Sequence, residues 1–225
     1  MKLFTIATLI ALVLLVGGAA TATPKRLVVG NTIVSNSGPQ VRVTMPKESV
    51  YIGTDDWTLY GITDCQVFVF VEADAAHRVQ RLYWVQFEQY LASMPKLAYQ
   101  YTSPRRARLG TKDFIVDDWT STSATPSPPD YSGIEKFLAS LGYPPPVNLR
   151  TGSDTQHVVA LLAAKGFRLP TPRAAIRLVH LLDARKRGEL MIIFAEPIAT
   201  HTQIDWQLHE SLLSDALAHL KIVFP

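Results

Sequence analysis

The 225-residue sequence has a single cysteine, Cys65, so no intramolecular disulfide can form. Its stability must come from a hydrophobic core. Hydrophobic residues at 48% and charged residues at 18% argue against a disordered chain. Beyond the N-terminal stretch, no segment approaches the length of a membrane span. The formal net charge of +3 is too small to indicate a nucleic acid partner.

The well-marked catalytic motifs are also missing. The sequence has no G-x-S-x-G elbow, no phosphate-binding loop and no G-x-G-x-x-G after a predicted strand. This excludes the best-marked hydrolases, kinases and dinucleotide-binding enzymes, but not enzymes whose residues are scattered along the chain. His209-Glu210 begins like a zinc-protease helix, yet Leu213 occupies the position of the second ligand. We therefore predict neither a metal site nor a cofactor.

A weaker candidate for metal binding overlaps the His209-Glu210 pair. His201, Asp205 and His209 are spaced by four residues, which would align them on a continuous helix. Thr202 is the better helix N-cap, however, and this places His201 outside the helix. A partly exposed amphipathic helix explains the pattern without a metal.

The N-terminal segment predicts export. Lys2 precedes an apolar run at residues 3–16, and small residues follow, ending in Ala20-x-Ala22. This order is typical of a secretory signal peptide covering residues 1–22. An uncleaved anchor is the alternative, since residues 3–22 carry no charge and are long enough to span a bilayer. We expect a periplasmic or extracellular protein of one domain over residues 23–225, with no membrane insertion after cleavage.

The chain that follows the signal begins with the pattern of β-strands. Apolar and β-branched runs at residues 27–34, 40–45, 50–53 and 58–62 are separated by turn residues. The most hydrophobic run, residues 65–72, is apolar on both faces, which predicts a central strand covered above and below. The aromatic residues of 79–91 favour a strand paired with it. Residues 114–120 form the last predicted strand of this half.

After a linker or long loop at residues 121–130, the apolar period lengthens to that of helices. We predict helices at 132–141, at 153–166 with a Ser153–Gln156 capping box, at 171–187 and at 202–220. A compact strand at 190–194 is predicted to return to the sheet. The resulting fold class is α+β, a mostly antiparallel N-terminal sheet followed by a helical C-terminal half with that one late strand. Two domains hinged at residues 121–129 are the alternative.

The string Asp-Asp-Trp-Thr occurs twice, at residues 55–58 and 117–120, each beside a predicted strand. Carboxylates next to an indole suit a sugar- or cation-binding edge, because the ring stacks while the acids accept hydrogen bonds or coordinate Ca²⁺. A polar strand end whose Trp folds back on the core is the simpler interpretation. The candidate binding residues from the two strings are Asp55, Asp56, Trp57, Asp117, Asp118 and Trp119.

A basic loop and the cysteine complete the candidates. Arg105, Arg106 and Arg108 follow Pro104 and suit phosphate, an anionic lipid head group or a glycan, although a solvated loop tip is the simpler interpretation. Cys65 lies on the valine face of the most hydrophobic strand, so we expect it to be buried and unreactive.

We expect a non-catalytic secreted or envelope protein that binds a small molecule or an envelope component through its sheet. One alternative is an exported hydrolase that uses the acids of the two Asp-Asp-Trp-Thr strings. It requires the strings to lie within the ~10 Å that separates paired glycosidase carboxylates. The other alternative is an assembly factor that interacts through its C-terminal helices.

Overall fold

The computed structural model describes residues 25–122, 132–147, 153–198 and 206–225. The predicted signal peptide, most of the predicted linker, and the positions of His201, Thr202 and Asp205 lie outside these ranges.

The described residues form eleven β-strands and three α-helices. In chain order these are β1 (Arg26–Val29), β2 (Thr32–Asn36), β3 (Gln40–Thr44), β4 (Val50–Leu59), β5 (Thr63–Ala73), β6 (Val79–Tyr90), β7 (Arg106–Leu109), β8 (Lys112–Ser121), α1 (Ser132–Ser140), α2 (Asp154–Ala164), β9 (Arg173–Leu181), β10 (Gly188–Pro197), α3 (Trp206–His219) and β11 (Lys221–Val223). Of the helices in these ranges, none combines the length and hydropathy that a membrane span requires.

The strands form two antiparallel sheets. The smaller sheet has the order β1-β2-β3-β11, and the larger has the order β4-β5-β6-β10-β9-β8-β7. β10 lies at the centre of the larger sheet, paired with β6 on one side and β9 on the other. The two strands of this sheet that follow residues 121–130, β10 and β9, are therefore inserted between β6 and β8, which precede them in the chain.

The larger sheet is covered on both faces. On one face, the smaller sheet and α3 pack against it in a core that includes Ile33, Phe70, Phe194 and Leu212. On the other face, α2 packs over a second core that includes Val67, Val69, Trp84, Ile193 and Val158. A smaller cluster of Ile62, Leu97 and Leu138 fixes α1 at the turn between β4 and β5.

Several predictions about the strands and about Cys65 are confirmed. β5 is buried on both faces, as expected for residues 65–72, and β6 pairs with it along almost its whole length. Cys65 is buried, with 4% of its surface exposed. The late strand does return to the sheet as β10.

The predicted α+β fold with a helical C-terminal half is wrong. The described residues form two antiparallel sheets of four and seven strands but only three short helices, so strands dominate the fold. The main error is β9, which occupies most of the helix predicted at residues 171–187. β9 is inserted between β8 and β10, and consecutive residues such as Ala175 and Ile176 are buried on opposite faces. A strand buried on both faces loses the alternation that distinguishes a strand from a helix.

The helices before β9 are where the sequence predicts them. At the start of α2, Gln156 Oε1 accepts the Ser153 backbone N–H at 3.0 Å, which is half of the predicted capping box. Gly166 follows α2 with a positive φ of 77°, a conformation that suits glycine. In α1, Leu138 is buried, but Phe137, expected on the same face, is 48% exposed.

The central position of β10 gives the first testable prediction. We expect Phe194→Ala to lower the free energy of unfolding by about 3–5 kcal/mol, because the fully buried ring would leave a cavity between the sheets. Phe137→Ala is the matched control and should change stability by less than about 0.5 kcal/mol. Urea denaturation of both variants measures the difference, and equal effects would contradict the assigned core.

Candidate functional site

Buried polar residues interrupt the α2-covered face of the larger sheet. Alternation along β6 places Gln86 and Glu88 on the same face as Trp84, and Glu189 of β10 lies directly opposite Glu88. Gln86, Glu88 and Glu189 are only 0%, 7% and 2% exposed. Polar side chains this deeply buried require hydrogen-bond or ionic partners.

A chain of hydrogen bonds reaches Glu88 from two sides. The Trp84 indole N–H donates to Gln86 Oε1 at 2.7 Å, and Gln86 Nε2 donates to Glu88 Oε1 at 2.6 Å. The Tyr99 hydroxyl donates to Glu88 Oε2 at 2.9 Å. Each carboxylate oxygen of Glu88 thus accepts one hydrogen bond and retains a second lone pair that could accept another.

Glu189 and Asp154 bring two more carboxyl groups to the same place. The Tyr101 hydroxyl donates to Glu189 Oε2 at 2.6 Å. Asp154 belongs to the first turn of α2, which lies over this part of the sheet. Against the effect of burial, a hydrogen bond from the Gln86 side chain lowers the pKa of Asp154, whereas its Oδ1 atom is shielded from solvent and has no hydrogen-bond partner among the described residues. We refer to Glu88, Asp154 and Glu189 as the acid cluster.

No Lys, Arg or His side chain of the described residues forms an ion pair with the acid cluster. The opposite face of the same sheet shows the usual solution for buried acids. There, Arg81 lies 2.8 Å from Glu72 and 2.7 Å from Glu196. The acid cluster therefore lacks a cation that this fold supplies elsewhere.

Burial shifts the ionisation of the acid cluster. It raises the pKa of Glu189 to about 8 and that of Asp154 to about 7, with the Glu88 charge as the next cause in both cases. Burial also raises the pKa of Glu88, against the hydrogen bonds from Tyr99 and Gln86. Arg177 of β9 acts in the opposite direction on the pKa of all three, but its guanidinium bonds Asp117 at 2.6 Å instead.

Cys65 adjoins the acid cluster. The Cys65 Sγ atom, a carboxylate oxygen of Glu88 and one of Asp154 all lie within 4.8 Å of one another. Cys65 and Glu88 are cross-strand partners on β5 and β6, and α2 contributes Asp154 from above. Burial, followed by the charges of Glu88 and Asp154, raises the pKa of the thiol. Cys65, Glu88 and Asp154 are far apart in the sequence, and the sequence predicts no metal site among them.

An open groove of about 730 Å³ runs over the ends of β4, β5 and β6, between the larger sheet and the end of the smaller one. We call it the Trp57 groove. Residues that line it include Arg26, Asp56, Trp57, Cys65, Phe87 and Glu88. Asp56 and Phe87 point to the face of the larger sheet that the smaller sheet covers, whereas Cys65 and Glu88 point to the face that α2 covers, so the groove and the acid cluster lie on opposite faces of the sheet.

The first Asp-Asp-Trp-Thr string forms one wall of the Trp57 groove. The Trp57 ring stacks on the His157 ring of α2 at 4.0 Å between centroids, and His157 Nδ1 lies 2.7 Å from Asp55 Oδ2. Asp56 points to the opposite face of β4, and burial followed by the Asp55 charge raises its pKa. Asp55 thus orients His157, while Asp56 and Trp57 line the groove. Because His157 already covers one face of the indole, Trp57 has less surface for stacking on a sugar than the sequence suggests.

The second string lies elsewhere. It is on β8, five strands away from β4, and at about 4.8 Å per strand the two strings are about 24 Å apart. Asp117 bonds Arg177, Asp118 contacts Arg105 and His209, and Trp119 is 38% exposed. This separation exceeds the ~10 Å that a pair of glycosidase carboxylates spans, so the strings do not act together on one bond.

The predicted basic loop is also outside the Trp57 groove. Arg105 contacts Asp118 and, at 3.3 Å, Glu210. The Arg106 guanidinium donates to the backbone carbonyls of Ser103 and Arg105, both at 2.7 Å. The Arg108 guanidinium lies 3.0 Å from the Asp113 carboxylate. These guanidinium groups are directed at acceptors of the chain itself.

Sequence reasoning did not find the acid cluster. One signal was present, since Gln86 and Glu88 are two polar residues at alternate positions in an otherwise aromatic strand. That pattern marks a polar patch on one face of a buried strand. Asp154 and Glu189 carry no comparable local signal, because the fold alone brings them to Glu88.

No protein-family model matches this chain, and comparison with curated proteins and with solved structures gives no significant match. Functional conclusions therefore depend on the site itself.

The raised pKa of Glu189 gives a prediction about stability. Between pH 4.5 and pH 8 the folded protein retains a proton on Glu189 that the unfolded chain releases, so its stability falls as pH rises through this window. Glu189→Gln removes this proton and preserves the acceptor for Tyr101. We expect the variant to gain stability over the wild type as pH rises, by at most about 1.4 kcal/mol per pH unit.

Urea denaturation at a series of pH values, in buffer with a chelator, measures this difference. The matched control is Glu48→Gln, because the Glu48 carboxylate is exposed to solvent in the folded chain. A stability difference for Glu189→Gln that does not vary with pH would contradict the proposed burial of this carboxyl group.

Proposed function

We propose that this chain is an exported, non-catalytic binding protein whose ligand carries a positive charge and binds at the acid cluster. The observation that carries the proposal is the acid cluster itself. Glu88 and Glu189 are buried, Asp154 is partly buried with a shielded Oδ1 atom, and none of the three has an ion-pair partner among the described residues.

Energetics favour a cation over other ligands. A buried carboxylate without a counter-ion costs several kcal/mol, and the cost is larger when carboxylates adjoin one another. Hydroxyl and amide donors from Tyr99, Tyr101 and Gln86 reduce this cost but supply no net charge. At neutral pH the acids reduce the cost further by retaining protons, and a cation stabilises their ionised form in place of those protons, whereas an anionic or neutral ligand does not.

The surroundings favour binding over covalent chemistry. Cys65 is buried and its thiol pKa is raised, which is opposite to what a nucleophilic cysteine needs. The described part of the chain also places no histidine within the group formed by Cys65, Glu88 and Asp154. The predicted signal peptide supports export, and the absence of well-marked catalytic motifs supports a binding role.

A panel of cations tests the proposal. Isothermal titration with divalent metals, a diamine, choline and arginine methyl ester should show at least one that binds the wild-type protein. Glu88→Gln and Asp154→Asn keep the shape of each side chain but remove charge, so each should weaken that ligand at least about tenfold, the loss of about 1.4 kcal/mol.

Asp64→Asn is the matched control. Asp64 also lines the Trp57 groove but lies outside the acid cluster, and its carboxylate accepts only the Thr58 hydroxyl, at 3.2 Å, among the bonds of the described residues. It should retain nearly full affinity. The proposal is wrong if no cation binds the wild type, or if Glu88→Gln binds as the wild type does.

A further inference from the structure

The group formed by Cys65, Glu88 and Asp154 has the size of a metal site. Its three potential ligand atoms lie within 4.8 Å of one another, and any three such points fit inside a circle whose radius is 4.8 Å divided by √3, about 2.8 Å. Zinc bonds sulfur at about 2.3 Å and carboxylate oxygen at about 2.0–2.2 Å. A shift of about half an ångström in each side chain therefore brings all three atoms to bonding distance.

The unpartnered oxygen of Asp154 is an independent sign of a missing partner. Its Oδ1 atom is shielded from solvent and accepts no hydrogen bond from any residue that the structure describes. Buried carboxylate oxygens are normally satisfied by a donor, a water molecule or a cation. Within the described ranges, the Gln86 amide is the only side-chain donor that acts on this carboxyl group, and it leaves Oδ1 without a partner.

We propose that the cation bound by the acid cluster is a divalent transition metal of the zinc class, held by Cys65, Glu88 and Asp154. This inference rests on the proposed function and specifies its ligand. The thiol decides between a metal and an organic ammonium, because sulfur is a poor hydrogen-bond acceptor but a strong ligand for zinc. The thiol also disfavours calcium and magnesium, which take oxygen ligands.

The surroundings of the three ligands fit this role. Gln86 and Tyr99 hold the two oxygens of Glu88, an arrangement that orients metal-binding carboxylates in proteins. Of the three ligands, Asp154 is the least buried, so the side of the sheet that α2 covers is where a metal would enter. Three protein ligands leave a fourth position for water or for a group of a second ligand. On binding, the metal displaces the thiol proton, and the released proton passes to solvent.

Cobalt(II) is the probe for this site because it replaces zinc in such sites and its absorption reports the ligands. We expect the full mature chain to bind one cobalt ion, with a thiolate-to-cobalt charge-transfer band in the near ultraviolet, and zinc to remove that band. Cys65→Ser should abolish the band. Glu88→Gln and Asp154→Asn should each raise the cobalt dissociation constant at least about tenfold, while Asp64→Asn should leave the dissociation constant and the spectrum unchanged.

Far-UV circular dichroism checks that each variant is folded. Should Cys65→Ser fail to fold, the two isosteric variants Glu88→Gln and Asp154→Asn still test the site, because the band intensity at fixed cobalt must fall in both. Cobalt binding without a thiolate band overturns the zinc-class site while leaving a cation-binding protein. Binding of an organic ammonium alone does the same. No cation binding of any kind overturns both this inference and the proposed function.

Discussion

Burial of the larger sheet on both faces governs the rest of this structure. The smaller sheet and α3 cover one face and α2 covers the other, so β5, β6, β9 and β10 are apolar on both sides along most of their length. A charged side chain on such a strand is removed from water wherever it points. On one face Arg81 neutralises Glu72 and Glu196, but on the other the acid cluster has no such partner. The same desolvation that stabilises the apolar core thus leaves the acid cluster without a paired cation among the described residues.

Two-sided burial also explains where the sequence predicts the fold and where it does not. Residues 65–72 are unmistakable, because an unbroken run of valine and phenylalanine between turn residues has few alternatives, and its partner β6 follows closely along the chain. β9 has an equally buried but alanine- and leucine-containing sequence, preceded by Thr171-Pro172, and this resembles the start of a helix. What makes it a strand is its pairing with β8 and β10. Pairing is non-local, and no window along the sequence contains it.

The candidate site is likewise predictable only where its signal is local in the sequence. The Asp-Asp-Trp-Thr strings are visible because they are local, and one of them does line the Trp57 groove, but the other lies five strands away. The acid cluster combines positions 88, 154 and 189, and Cys65 adds a fourth distant position. The adjacency of β6 and β10 places Glu189 opposite Glu88, and the packing of α2 adds Asp154. Before the topology is known, only the polar alternation of Gln86 and Glu88 indicates that this face is not simply a core.

The chemistry of the buried face argues that the acids serve a ligand rather than the fold. A network needed only for structure would be more stable with amides, which donate and accept without a charge to desolvate, and Gln86 already fills this role beside Glu88. Three carboxyl groups instead make the unliganded protein less stable as they ionise, and burial raises the pKa of each. A cation that binds only the folded chain reverses this loss by an amount that grows with its concentration relative to its dissociation constant. Under the proposed function, the destabilising acids and the affinity for a cation are two consequences of one arrangement, and we expect a substitution that removes the first to remove the second.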